Sequence, residues 1–167
     1  MRTYILAAAF ATTAMIGAAQ AQPPMTAQKF VDNAAIGGMF EVKSSEVALQ
    51  KGHGKDVKSF AHMMIHDHGA ANKKLVAIAA KQHLSIPGEL DAKHQGDLDT
   101  LRKTKGAFDP AYIQIQRKAH DEAVMLFSNY AQDGKDKALK NFAKETLPTL
   151  KMHKQKISSI AKKDKVD

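Results

Sequence analysis

Eight histidines and no cysteine make imidazole nitrogen the main metal-seeking group in this 167-residue sequence. The stretch Phe60-Ala-His-Met-Met-Ile-His-Asp-His-Gly-Ala70 holds three of those histidines and an aspartate. Within it, Val57, Ala61, Met64, His68, Ala71, Leu75 and Ile78 recur at steps of three and four, the spacing of one helical face. His68 therefore falls on an apolar seam. His62 and His66 share a different face at i and i+4 and read as a solvated pair. Asp67 and Asp121 adjoin seam histidines and read as facing water, as do Glu122 and Glu145. The alternative for the two aspartates is to accept a hydrogen bond that fixes an imidazole tautomer.

The same test finds a strong potential ligand on three more seams. Phe30, Ala34, Gly37, Glu41, Ser44 and Ala48 form a stripe that is small and polar around Gly37-Gly38 and Glu41. Phe108, Tyr112, Gln116, Ala119, Ala123, Phe127 and Tyr130 carry His120 on or beside their line, and Leu139, Ala143, Thr146, Leu150, His153, Ile157 and Ile160 carry His153. A lone buried imidazole or carboxylate is costly unless paired. Convergence of Glu41, His68, His120 and His153 would relieve that cost in either of two ways. One is a single transition-metal ion, Zn, Fe, Mn or Cu. The other is a metal-free network in which Glu41 accepts from histidines and from Tyr112, Ser44 or Thr146. Non-convergence leaves four separately satisfied core residues.

The elements that must position these groups are legible from their breaks. Helices are expected over about 26–50, with Thr26 as N-cap, and about 55–82, separated by Gly52-His53-Gly54. Leu84-Ser-Ile-Pro-Gly88 then opens a connection over 83–107 with a short amphipathic segment of its own around Leu90, His94, Leu98 and Leu101. His94 reads there as a packing residue. Phe108-Asp109-Pro110 starts the next helix, Asp133-Gly134 closes it, and a last helix spans about 135–162 with a kink expected at Pro148. At ~1.5 Å per residue, all four seam groups lie in the middle zone of helices roughly 36–42 Å long. The expected fold is all-α: a four-helix bundle, ferritin-like, with a long crossover carrying a short extra helix. Met39, Met63, Met64, Met125 and Met152 read as core filler.

Met1-Arg2, the apolar run from Tyr4 to about Ala19, and Ala19-Gln20-Ala21 have the form of a signal peptide cleaved near Ala21-Gln22. The expected organisation is a leader over 1–21 and one domain over 22–167, periplasmic or secreted, with no transmembrane segment in the mature chain. The formal charge is +8, with lysines dense from Lys151 to Lys165. Such a surface reads first as a solvated helical face; the functional alternative is attraction to anionic envelope components, and nucleic acid is not an expected partner. The chain has no phosphate loop, no HExxH helix and no nucleophile elbow.

Beyond these features, the sequence resembles a bacterial domain-of-unknown-function family, number 4142, often labelled an outer-membrane protein. The resemblance rests on Phe30-Val-Asp-Asn-Ala-Ala-Ile-Gly-Gly-Met-Phe-Glu41, Phe60-Ala-His-Met-Met-Ile-His-Asp-His68, Phe108-Asp-Pro-Ala-Tyr112, Ala119-His120, Val124-Met-Leu-Phe127 and Leu147-Pro-Thr-Leu-Lys-Met-His153. It implies a ferritin-like fold and no established activity. Ferritin-like di-iron sites use a Glu on each of two helices and Glu-x-x-His on the other two. Here Ile65 and Leu150 occupy the Glu positions of those motifs and His120 stands where another Glu is wanted, so di-iron chemistry is disfavoured. The resulting expectation is an exported helical bundle that binds one metal in its core. A metal-free envelope module is the alternative, and a mononuclear metal or acid–base enzyme comes last.

Overall fold

A computed structural model describes residues 25–166. The expected leader and its cleavage point lie outside the described residues. The chain folds into α1 (Ala27–Lys51), α2 (Lys55–Lys81), α3 (Ala92–Lys103), α4 (Phe108–Asp133) and α5 (Lys137–Lys163). There is no strand among the described residues. The boundaries follow local chemistry. Thr26 accepts the amide N–H of Lys29, Asp91 that of His94 and Asp136 that of Leu139, each satisfying an otherwise unpaired donor at a helix start. The Lys51 ammonium donates to the carbonyls of Arg102 and Thr104 at 2.6 and 2.8 Å, placing a cation at the carbonyl end of α3. Pro148 lies inside α5 without ending it.

The helices form a bundle. α1 packs on α2 and α4 on α5 as two hairpins; α1 also meets α4, and α2 meets α5. α3 lies across α1 and α4, burying Leu98 and Leu101. The apolar core is split into two clusters. One contains Val57, Phe60, Met64, Tyr112, Ile113 and Ile157. The other contains Phe30, Leu75, Phe127, Tyr130, Phe142 and Leu150, with Phe30 stacked on Tyr130 at a centroid distance of 4.0 Å. Along α2, α4 and α5, a histidine sits between the residues of one cluster and those of the other. Met64 is fully buried, but Met125 and Met152 are exposed on the outer faces of α4 and α5, so neither fills the core as expected.

α4 begins at Phe108, where the Phe108-Asp109-Pro110 start signal puts it, and the Asp109 carboxylate serves the α1–α2 connection and not its own helix start. It accepts the amide N–H groups of His53, at 3.1 and 3.2 Å, and of Gly54, at 2.7 Å. α2 has no side-chain cap of its own, so Asp109 supplies acceptors to its N-terminal end from another helix. A Cβ at Gly52 would lie 3.2 Å from Asp109 Oδ1, and one at Gly54 would lie 3.1 Å from Asp109 Oδ2. The glycines thus permit the approach that ties the two hairpins together at this end. Asp109→Ala is expected to destabilise the protein by about 2 kcal/mol, the scale of hydrogen bonds to a charged acceptor. Urea denaturation measures this, and a loss below ~0.5 kcal/mol, the level of ordinary surface substitutions, would show that the tie contributes little.

Candidate metal centre

His68 from α2, His120 from α4 and His153 from α5 meet in the middle of the bundle. Their ring centroids form a nearly equilateral triangle with sides of 5.6, 5.4 and 5.5 Å. Each ring offers one ligand nitrogen, and these three nitrogens all lie within 4.8 Å of one another. His120 and His153 are 0% exposed and His68 is 6% exposed. Phe60 meets the rings of His120 and His153 at 5.8 and 6.4 Å, forming an apolar wall on that side.

Hydrogen bonds fix two of the imidazoles. His120 Nδ1 donates to the Gln116 carbonyl at 2.9 Å, one helical turn earlier, which leaves Nε2 as the nitrogen with a free lone pair. His153 Nε2 donates to Asp67 Oδ2 at 2.9 Å, which leaves Nδ1 free. His120 Nε2, His153 Nδ1 and His68 Nε2 are all buried and have no hydrogen-bond partner. A backbone carbonyl or carboxylate behind the ring, with the opposite nitrogen bare, is how metal-binding histidines are held. Metal–nitrogen bonds of ~2.0–2.1 Å would need the donors to close inward by roughly an ångström or less. The residues present therefore fit a metal ion coordinated by imidazole.

Protonation favours the same use. Burial pushes His68 well below 6.5, and the neighbouring His120 and His153 push it further. Burial also lowers His153, although Asp67 opposes the shift. Both rings are thus held neutral, with their lone pairs available. Burial works against the charge on Asp67, but hydrogen bonds from His66 and His153 outweigh it and hold the carboxyl below 3.8.

Of the four expected ligands, the structure brings three together. Glu41, from α1, is 2% exposed, and its Oε1 lies 3.4 Å from His120 Nδ1. That nitrogen is the one already committed to Gln116, so Glu41 stands behind His120 and is not a member of the three-nitrogen group. Burial raises Glu41 above 4.5; His120, the Gln116 side chain and His94 pull the other way without reversing the shift. The expected donors to its carboxylate are differently engaged. Tyr112 pairs with Ser45 at 2.8 Å, and Ser44 donates to the Glu41 backbone carbonyl while accepting from the Gln116 amide.

Two residues enter the site that were not among its expected ligands. Asp67 was expected to face water, yet it bridges the exposed His66 and the buried His153. Its position one residue before a seam histidine was the available signal. Gln116 lay on the α4 stripe and is fully buried, joining Ser44 to the region behind His120. By contrast, Asp121, Glu122 and Glu145 pair with Lys154, Lys93 and Lys74 on the outside of the bundle. His94 packs edge-on against Phe40 at 5.2 Å, as expected.

Fold and site together define an all-helical bundle with a buried three-histidine cluster. Residues 12–160 match the family described as a domain of unknown function (DUF4142), and the chain belongs to that family. The chain is also similar in structure to CopM in the Cu(II)-bound form, with a TM-score of 0.73 and 19% identity, covering 84% of this chain and 99% of that one. CopM in the Cu(I)-bound form gives a TM-score of 0.71 at 18% identity, covering 83% and 97%. A DUF305 fragment from Deinococcus radiodurans gives 0.72 at 12% identity, covering 84% and 99%. No curated protein matches the sequence. No helix among the described residues is long and apolar enough to cross a membrane.

The electrostatics set a pH dependence for the metal-free protein. Because His68 and His153 are shifted down, the unfolded chain takes up protons that the native state refuses. Their stability contribution is fully present above 6.5 and is lost as pH falls below it. Glu41 has the opposite sign, because its raised value makes the native state hold a proton that the unfolded chain releases above 4.5. The histidine contribution lowers the urea midpoint as pH falls from about 7.5 to about 5.5. His68→Phe should flatten that slope. A slope unchanged by the substitution would show that His68 is protonated equally easily in both states.

Proposed function

We propose that this chain is an exported protein that binds one transition-metal ion through His68, His120 and His153, with copper as the leading candidate. The observation that carries the reading is the set of three buried, mutually close imidazoles, each with a nitrogen that nothing in the protein satisfies. Unpaired buried polar groups cost ~1–3 kcal/mol apiece, and a metal ion would satisfy all three at once. Imidazole donors without thiolate suit copper and zinc, and copper(II) heads the affinity order of the divalent ions. CopM is described in Cu(II)-, Cu(I)- and silver-bound forms, and similarity to it in fold supports testing copper first. The reading takes the four long helices as a ferritin-like bundle whose mid-helix positions hold the ion.

In this proposal Glu41 acts on His120 from behind rather than as a fourth ligand. Asp67 and the Gln116 carbonyl orient the two rings whose free nitrogens face the ion. Three protein donors leave a coordination position for water or an exogenous ligand. The leader ending near Ala21-Gln22 would place the protein outside the cytoplasm.

Metal-free protein titrated with Cu(I), Cu(II) and Zn(II) should bind one equivalent of the preferred ion. Saturation at about 100 times the dissociation constant should stabilise the fold by about 2.7 kcal/mol in a thermal melt. His120→Ala and His153→Ala should abolish that stabilisation, and Asp67→Asn should weaken binding by roughly 10–100-fold. Equal, sub-stoichiometric metal in wild type and the alanine variants would rule the site out.

A further inference from the structure

A cavity of about 330 Å³ lies on one side of the histidine layer. Its walls include Ala34, Leu75, Phe127, Phe142 and Leu150, all from the second apolar cluster. Glu41 and His68 also line it. Lys93 and Glu122 border it as well, joined by a 2.7 Å ion pair whose side chains are each somewhat under half exposed, so this rim faces solvent. The volume is roughly twice that of an engineered apolar cavity of ~150 Å³ that accepts benzene. It has room for one ring and a short chain.

Two observations distinguish this space from a packing fault. First, the helix that borders it is shaped to leave it open. Gly37 lies between Ala34 and Glu41 on the α1 stripe and lines the cavity, and a Cβ built there would meet nothing within 4 Å. The adjacent Gly38 differs, since a Cβ there would clash with the Asn72 side chain of α2 at 2.0 Å. Close helix packing therefore accounts for Gly38 and does not account for Gly37. Second, Glu41 is 2% exposed, and its Oε2 has no hydrogen-bond partner. Glu41 lines the cavity, and a carboxyl oxygen without a partner becomes available to a polar group arriving there once the side chain turns toward it.

We propose that this cavity is a binding site for an uncharged small molecule with an apolar body and a single hydroxyl head. The body lies among Ala34, Leu75, Phe127 and Leu150, and the hydroxyl hydrogen-bonds the Glu41 carboxyl. A hydroxyl both donates and accepts, so it matches that carboxyl in either protonation state. An uncharged head suits a space whose walls are largely apolar side chains. The inference does not depend on metal binding: His68 borders both sites, but the head partner is Glu41, which is not one of the three nitrogen donors, and the apolar walls come from the second cluster.

The test uses metal-free protein titrated with 4-propylphenol or propylbenzene and followed by methyl NMR. 4-Propylphenol should shift the methyls of Ala34, Ala71 and Ala123 and leave those of Val57 and Ile160 unmoved. It should bind roughly tenfold more tightly than propylbenzene, the value of one good hydrogen bond to a carboxyl. Gly37→Leu should fill the space and abolish binding of both compounds. Glycine is a poor helix former, so this substitution also favours α1. The variant keeps His68, His120 and His153, so metal uptake by it reports on the metal reading separately. Shifts confined to Val57 and Ile160, equal affinity for the two compounds, or undiminished binding by Gly37→Leu would each overturn the proposal. The methyl map and the affinity ratio come from the wild type and stand whether or not the variant folds.

Discussion

The constraint on which this structure depends is the burial of imidazoles in the middle of an otherwise apolar core. His68, His120 and His153 have almost no access to water, and one nitrogen of each has no partner. Such groups oppose folding by ~1–3 kcal/mol each, against a net stability of ~5–15 kcal/mol for a typical domain. The surrounding architecture offsets this opposition. The core is divided into two apolar clusters, and the polar residues are collected between them instead of being scattered through either. Within that layer, each fixed ring is held by a different device, a carbonyl of its own helix for His120 and a carboxylate from a neighbouring helix for His153.

The same layer explains the uneven packing of α1. On one side of Glu41, α1 contributes Val47 and Ala48 to the first apolar cluster. On the other, Gly37 and Ala34 leave space. Small residues on a helix are usually explained by close approach of a partner, and Gly38 against Asn72 fits that explanation. Its neighbour shows that adjacent glycines can serve opposite ends, one closing a contact and the other holding a cavity open.

Much of the fold was legible in the sequence because helical periodicity is a strong signal. The steps of three and four put His68, His120 and His153 on inward faces, and all three are inward. The five helices begin and end close to the breaks at Gly52, Pro87, Gly106 and Gly134. What periodicity could not supply was rotation within a face. Glu41 is on the α1 seam and buried, yet a modest angular difference sends it behind His120 and not toward the three nitrogens. Asp67 is one residue off the α2 seam, and its reach to His153 depends on the lateral placement of α5, which no local pattern encodes. Asp109 illustrates a related limit. An aspartate before proline marks the start of its own helix, but its carboxylate serves a turn more than fifty residues earlier in the chain. Met125 and Met152 read as core by residue type, and their exposure shows that an apolar side chain beside a seam need not face it.

The distribution of the three rings over the two hairpins has a consequence for how the protein comes into being. His120 and His153 belong to α4 and α5, which form one hairpin, while His68 belongs to the other. Either hairpin can in principle form from contacts local in sequence, but the triangle of rings closes only when the two have docked across the α3 connection. Contacts between distant segments are formed against the entropy of closing a long loop, and they come late on that account. The complete cluster is therefore a marker of finished assembly rather than of helix formation. A chain stalled with its hairpins formed but undocked would carry at most two of the three imidazoles in place.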